Sequence, residues 1–518
     1  MNNQSKTLLA AVLALTLVGC SDSRDERPVA ELPPEPEPNP CDGTETESSR
    51  LFLQQLTDSS VIIKWRGDAD AACIGTSANN LATRIAATAT EGDHKEALVT
   101  GLSARTTYHY SIGGAPEAPA GQHFTTAPAR GELPAGGATR LWLIGDSGTG
   151  GDDEREDYEG DAAEVLAGLQ SFVEADGKPV DLFLMLGDNA YAVGSDFNYQ
   201  QAVFDIYPDL LKTTSLWPTI GNHEMGIGFL FGSLAIAGLG TSADPDSWLE
   251  TAESEPVRMP YLDIFSLPAQ AEAGGVPSGT EQYYSFDYGN VHVVSLDSQL
   301  SARDPEQLAA MQNWLIDDLG SNDLDWTVVI FHHPPYSKGA NHDSDDAAKL
   351  NGFDLPQQDM REKFVPIFDE YGVDVVYNGH SHSYERSYYI TSHTGKSDTF
   401  SFAEHAELID ADPTRPASGR DGETYAQLSP TSGGVDNRVV YSVVGNSGKA
   451  DKNAGSLTAA EVWLQHPAHI EQPADTLDPP RRGLPILGSA VIDVTDTTLV
   501  HSFIDVNGEV LDQFTISR

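Results

Sequence analysis

Five short polar runs carry the chemistry of this 518-residue sequence, and each follows an apolar stretch. Leu141-Trp142-Leu143-Ile144 leads into Gly145-Asp146-Ser147-Gly148, and Leu182-Phe183-Leu184-Met185-Leu186 into Gly187-Asp188-Asn189-Ala190-Tyr191. Leu216-Trp217-Pro218-Thr219-Ile220 leads into Gly221-Asn222-His223-Glu224. Val328-Val329-Ile330-Phe331 leads into His332-His333-Pro334-Pro335-Tyr336, and Val373-Asp374-Val375-Val376-Tyr377 into Asn378-Gly379-His380-Ser381-His382. The pooled donors are two Asp, one Asn, one Tyr and at least three His, with no thiolate. Such oxygen and imidazole ligands suit iron, manganese or zinc rather than copper(I) or an iron–sulfur cluster. Seven donors are too many for one ion and suit two ions that share a carboxylate. Each run alone is a weak signal, since Gly-Asp is a common turn. Their joint occurrence, each at the end of an apolar run, is a strong one.

Donors at the ends of apolar runs need a scaffold that brings the ends together. An open α/β sheet does this, because its ligands bind beyond the carboxyl ends of its strands. After a Gly/Ala/Pro linker at 131–138, short apolar runs alternate with helical patterns, as an α/β layer fold requires. One helix is predicted from Asp161 to Ala175, with Val165, Leu166, Leu169, Phe172 and Val173 on one face and Gly177 beyond. Another opens with Asp304 as cap and Pro305 at its first position, turns Leu308, Met311, Trp314 and Leu315 inward, and stops at Gly320. A third runs from about Asp359 to Tyr371 and ends at Gly372.

Before the linker the period is two. Val61, Ile63 and Trp65 share one face of a half-buried strand, and Tyr108, Tyr110 and Ile112 alternate inward. A Leu followed by Thr-x-Tyr at 102–108 resembles the tyrosine corner of immunoglobulin-like sandwiches. Residues 47–128 are therefore read as a fibronectin-III-like β-sandwich that packs and spaces rather than binds.

The 30 Lys and Arg against 78 Asp and Glu give a net charge of −48. Such a surface repels nucleic acid and anionic membranes, so neither is an expected partner, whereas it attracts metal cations. With 39% hydrophobic and 21% charged residues, the bulk of the chain reads as globular. Lys6 precedes the apolar run Leu8–Leu15, and Leu17-Val18-Gly19-Cys20 follows. This describes an export signal over 1–19, too short to span a bilayer. Its ending resembles the bacterial lipobox, which implies lipidation of Cys20, and Ser21 after it resembles lipoproteins sorted to the outer membrane. Residues 20–46, with Pro33-Pro34-Glu35-Pro36-Glu37-Pro38 at their centre, form an extended tether. Cys41 and Cys73 remain, and in an oxidising compartment they are expected to pair.

Taken together, GDxG, GDxxY, GNH[DE], VxxH and GHxH resemble the purple acid phosphatases of the calcineurin-like metallophosphoesterase superfamily. His380-Ser381-His382-Ser383-Tyr384-Glu385-Arg386 is close to that family's GHxHxYER. The strand Tyr284–His292, the segment Asp493–Leu499 and the N-terminal sandwich ending in Phe124-Thr125-Thr126-Ala127-Pro128 are similar to long, plant-like members. The resemblance implies a catalytic domain over 138–518, with two packed β-sheets flanked by helices. Insertions around 227–257, 401–436 and 448–482 fall outside it. It implies a first metal held by Asp146, Asp188, Tyr191 and His382, and a second held by Asp188, Asn222, His332 and His380, with Asp188 bridging. The tyrosine implies Fe(3+) at the first site, beside a divalent Fe, Zn or Mn. His332 takes the VxxH position, which leaves His333 to bond around the site. His223 is expected to contact the phosphoryl group, with Glu224 orienting it. His342, ten positions after His332, matches the second of two substrate-contacting histidines in plant-like members, and Asn341 replaces the first. Asn341 can hydrogen-bond a phosphate but cannot act as an imidazolium acid.

The implied activity is hydrolysis of small phosphomonoesters. Two metal ions lower the pKa of a bound water, which attacks phosphorus, and His342 protonates the leaving alkoxide. A phosphodiesterase or nucleotidase on the same fold is the alternative. A non-enzymatic surface binding lipoprotein would be favoured by a lost ligand, and none is missing.

Overall fold

The computed structural model describes residues 38–149, 161–191, 193–225, 259–299, 305–346, 354–420, 422–427, 437–455, 458–472 and 480–518. The expected export signal, Cys20, most of the tether, Asp304, the insertion 227–257 and parts of the other two insertions lie outside them.

Two large sheets dominate the described residues. The first has eleven strands in the order Tyr425–Ala426, Val510–Ser517, Thr498–Asp505, Gly488–Val494, Thr139–Ile144, Leu182–Met185, Ser215–Pro218, Ser49–Gln54, Ser60–Arg66, His94–Thr100 and Thr88–Ala89. The second has seven: Tyr284–Tyr288, Val291–Ser295, Trp326–Ile330, Val375–Asn378, Val440–Val444, Tyr384–Arg386 and Gly483–Leu484. Thr139–Ile144, Leu182–Met185 and Ser215–Pro218 are parallel neighbours in the first. Trp326–Ile330 and Val375–Asn378 are parallel neighbours in the second. All five strands that precede the polar runs thus point their carboxyl ends the same way within their sheet.

Alternation along the strands builds two cores from one sequence pattern. Val293, Val328, Ile330, Val375 and Tyr377 share a buried cluster with Leu141, Leu143, Leu182 and Leu184 of the first sheet. Trp217 stacks on Phe286 across that cluster, with ring centroids 3.8 Å apart. The intervening Val294, Val329, Val376 and Tyr441 face the other way, against Leu308, Met311, Trp314, Leu315 and Leu319 of the helix Pro305–Ser321 and Phe364 and Phe368 nearby. Strands buried on both faces lose the polar alternation of a half-exposed sheet, which is why they read as continuous apolar runs.

The predicted helices are present with shifted ends. The first spans Ala162–Asp176 and stops at Gly177, whose φ of 70° closes the helix in the left-handed region. The second runs through Gly320 to Ser321 rather than stopping at the glycine. The third starts earlier than expected, at Leu355, and passes through a wider turn at Met360–Phe364 before ending at Gly372 with φ 70°.

N-terminal strands do more than cap the chain. Ser49–Gln54 pairs in parallel with Ser215–Pro218 and so continues the first sheet. A four-stranded sheet, Thr83–Ala86, Ala71–Gly75, Thr107–Ile112 and His123–Thr125, shares a separate core with those strands through Val61, Ile63, Trp65, Tyr110 and Phe124. Oη of Tyr108 accepts the Ser103 N–H at 3.0 Å. The strand Ser60–Arg66 is buried on both faces, not one: Lys64 donates to Oγ of Ser266 at 2.8 Å on the far side. Cys41 and Cys73 form a disulfide. No helix among the described residues is long and apolar enough to cross a membrane.

Candidate metal centre

Three of the five turns aim their polar residue by an uncommon backbone. Asp146, Asp188 and His380 have φ of 54°, 52° and 68°, in the left-handed region. For residues with a Cβ this costs about 1 kcal/mol or more each, and such strain gathers at functional sites. Glycines make room beside them. A Cβ on Gly187 would lie 2.6 Å from Nδ1 of His332, and one on Gly221 would lie 2.2 Å from the Asp188 nitrogen. The two sheets are joined here, because Oδ2 of Asp146 accepts the His380 N–H at 2.7 Å.

Two groups of donors converge. Oη of Tyr191 is 3.0 Å from Oδ1 of Asp146, 3.3 Å from Oδ2 of Asp188 and 3.3 Å from Nε2 of His382. On the other side Oδ1 of Asn222 is 3.1 Å from Nε2 of His332 and 2.9 Å from Nδ1 of His380. Nε2 of His332 is 3.3 Å from Oδ2 of Asp188. That one carboxylate oxygen therefore belongs to both groups. The first sheet supplies Asp146, Asp188, Tyr191 and Asn222, and the second supplies His332, His380 and His382. Asp146, Asp188 and His332 also satisfy the spacing of metal ligands as a trio.

Residues 139–384 match the family model for calcineurin-like phosphoesterases. The chain is 33% identical over 137 residues to purple acid phosphatase 23 of Arabidopsis thaliana, covering 26% of each. It is 27% identical over 293 residues to purple acid phosphatase 22 of the same plant, covering 55% of this chain and 51% of that one. A purple acid phosphatase from yellow lupin (Lupinus luteus) seeds shares the fold, with TM-score 0.59 at 17% identity over 91% of this chain and 74% of the other. Residues 139–384 form a purple acid phosphatase-like metallophosphoesterase domain. The chain spans about a quarter to a half of the length of these curated relatives.

Purple acid phosphatases use a binuclear metal centre, and the donors of this metallophosphoesterase domain fit one. Carboxylate, phenol, carboxamide and imidazole are ligands for hard or borderline cations. Burial and the Asp146 and Asp188 carboxylates push the Tyr191 phenol well above its ordinary pKa. Burial opposes charge on His332, yet Asp188 beside it holds its pKa at about 9. His382 is likewise held at about 9, against burial, by Asp146 and Asp451. Two buried carboxylates gathered about one phenol are costly unless a cation is shared between them.

His332 and His380 each have the other ring nitrogen anchored by a hydrogen bond, which fixes the ring, and that of His382 faces a carboxylate at ion-pair distance. Nδ1 of His332 is 2.9 Å from the Leu186 carbonyl. Nε2 of His380 is 3.2 Å from Oδ1 of Asp354, and Nδ1 of His382 is 3.4 Å from Oδ2 of Asp451. Asp354 and Asp451 escaped the sequence reading, since neither lies in a motif.

The remaining residues flank the centre. His223 packs edge-on against Tyr191 with centroids 4.5 Å apart, and its Nε2 is 3.8 Å from Asp188. Glu224 does not orient His223. Its carboxylate accepts the N–H groups of Asp188, Gly221 and Asn189 at 2.9, 2.7 and 2.8 Å, clamping two of the turns. Burial, then the nearby Asp188, pushes Glu224 up to about 7. His333, expected to bond around the site, has Nδ1 2.8 Å from Oγ of Ser298, but its ring lies 4.3 Å from that of His380 and it shares metal-ligand spacing with His332 and His380. The His342 ring lies 3.8 Å from that of His380, and its Nδ1 is 3.1 Å from Oδ1 of Asp354. Nδ2 of Asn341 is 3.5 Å from Oδ2 of Asp451. The hairpin that carries both is braced by Nζ of Lys338, 2.6 Å from Asp343 and 2.7 Å from Asp345.

Proposed function

We propose that this chain hydrolyses phosphomonoesters and releases inorganic phosphate at a binuclear centre. Asp146, Asp188, Tyr191 and His382 would hold one ion, and Asp188, Asn222, His332 and His380 would hold the other. The observation that carries this reading is the meeting of both donor groups at Oδ2 of Asp188, within 3.3 Å of Tyr191 Oη on one side and of His332 Nε2 on the other. The phenol supports Fe(3+) at the first position, with divalent Fe, Zn or Mn at the second.

When bound, the two cations supply a positive field for the phosphoryl oxygens and a water acidic enough to attack phosphorus. The protein's own residues do the rest. His223, one-fifth exposed at the rim of the centre, is placed to bind a phosphoryl oxygen. His342 has Nδ1 tied to Asp354, so Nε2 is the atom that delivers a proton to the leaving oxygen. Asn341 contributes a hydrogen bond to phosphate or leaving group. With a net charge of −48, long-range attraction of an anionic substrate is absent, and the local cations must supply the field.

The test is phosphate release by the purified chain from alkyl and aryl phosphomonoesters, phosphodiesters and nucleotides. Turnover of monoesters well above diesters is the expected result, and preference for diesters would replace this reading with a phosphodiesterase. A visible absorption band lost in Tyr191→Phe would identify the ferric ligand, whereas a colourless active wild type would remove iron from the account.

Lys6, the apolar run and Cys20 support export and anchoring by lipid, with outer-membrane placement and the acidic, proline-rich segment as tether. Cys20→Ala should move the protein from the membrane to the soluble fraction. The N-terminal pair of sheets, with the Tyr108–Ser103 bond, supports a fibronectin-III-like sandwich over 47–128.

A further inference from the structure

Asp354 stands at the N-cap of the helix Leu355–Asp359, yet its side chain makes no cap hydrogen bond. An N-cap aspartate ordinarily accepts an N–H from the first turn and so stabilises its helix. Here the carboxylate, 1% exposed, turns to two histidines instead. Oδ1 is 3.1 Å from Nδ1 of His342 and 3.2 Å from Nε2 of His380, and Oδ2 accepts the Asp343 N–H at 3.1 Å. The two rings it joins are 3.8 Å apart.

We infer that Asp354 is a positioning residue that couples the metal half of the site to the leaving-group half, an inference that rests on the phosphatase reading above. By accepting from Nε2–H of His380, it leaves Nδ1 as the nitrogen facing Asn222, the atom suited to a cation. By accepting from Nδ1–H of His342, it leaves Nε2 as the atom facing substrate. One oxygen thereby sets the tautomer and orientation of both rings. Its third contact, through Oδ2, ties the same carboxylate to the backbone next to His342, so ring and loop move together.

His342, Asp354 and His380 also lie close enough to hold a cation themselves. That arrangement would need His380 to offer a lone pair from both nitrogens at once, to Asn222's side and to Asp354's. A neutral imidazole has one, so a positioning bond fits the ring and a third ion does not.

The experiment compares wild type with Asp354→Ala in the full chain, measuring metal per chain, the rate of metal loss to a chelator, and kcat and KM for an alkyl phosphate and nitrophenyl phosphate. Loss of a bond to the distal nitrogen of a ligand histidine should speed metal release roughly 10–100-fold. Misplacement of His342 should lower kcat for the alkyl ester about tenfold or more beyond the loss for nitrophenyl phosphate, with KM little changed. If Asp354→Ala does not fold, Asp354→Asn keeps the shape, removes the charge and carries the same two readouts. Wild-type behaviour in either readout overturns a shared role. Three ions in wild type falling to two in the variant overturns it too, since Asp354 would then be a ligand. Wild type inactive on every phosphomonoester would defeat the phosphatase reading, and the chelator rate alone would then judge Asp354.

Discussion

Two buried carboxylate–histidine clusters stand at opposite ends of neighbouring strands in the second sheet. At the start of Val291–Ser295, His292 lies between Asp287 and Asp318, 2.7 Å from one through Nδ1 and 2.8 Å from the other through Nε2. Beyond the end of Trp326–Ile330, His332 has one nitrogen on a backbone carbonyl and the other aimed at Asp188 and Asn222. Residue types and burial are alike. The difference is saturation. Both nitrogens of His292 are spent on carboxylates, and Asp287 is further paired with Arg130, so the cluster closes on itself. In the metal centre His332 and His380 each spend one nitrogen on an anchor, and the opposite nitrogens, with Nε2 of His382, meet carboxylate, phenol and carboxamide oxygens at common points. A buried histidine is thus a ligand candidate when one nitrogen is anchored and the other converges with acceptors, not by burial or acidic company alone.

The sharpest way to break this comparison is to remove the shared acceptor. Asp188→Ala should lower turnover of a phosphomonoester by on the order of 10³-fold or more, and Asn222→Ala by less, because one belongs to both donor groups and the other to one. Equal losses in the two variants would mean that Asp188 is not shared.

The next effect depends on substrate. His342→Ala should slow an alkyl phosphate about 10²-fold while nitrophenyl phosphate, whose leaving group departs as an anion, loses much less. The comparison is of kcat under conditions where chemistry limits the rate. An equal loss on both substrates would assign His342 to phosphate binding or loop shape.

The smallest effect belongs to the closed cluster and is one of stability alone. Burial works against a charge on His292, but Asp287 and Asp318 outweigh it and hold its pKa at about 9. Its unfolded value is about 6.5. The folded value is the higher, so the contribution is fully present below pH 6.5 and is lost as pH rises through 9, amounting to roughly 3 kcal/mol at most. His292→Gln should therefore be destabilised relative to wild type in urea at pH 6, with the gap shrinking by pH 9.5 and turnover at pH 6 unaffected. A gap that does not depend on pH would show that His292 is neutral.

Much of this arrangement is legible in the sequence, for a physical reason. Parallel strands buried on both faces leave continuous apolar runs, and the residue types that follow each run mark its carboxyl end. Helices at 162–176 and 305–321 announce themselves by apolar spacing, although Gly320 is tolerated inside the second. What local pattern cannot carry is pairing between distant segments, such as Ser49–Gln54 beside Ser215–Pro218. Nor does it carry anchors reached through space. Asp354 and Asp451 lie in no motif among the 78 acidic residues, and only their distances to His380 and His382 separate them from the rest. Glu224 was visible in its motif, but its partners are three backbone amides of two turns, which no side-chain pattern encodes.

The central claim is that the open cluster holds two cations through a shared Asp188 and the closed one holds none. Elemental analysis of metal per chain in wild type, Asp188→Ala and His292→Gln tests it most directly. The account predicts two ions in wild type and in His292→Gln, and no more than one in Asp188→Ala. Two ions retained in Asp188→Ala, or an ion lost in His292→Gln, would contradict it.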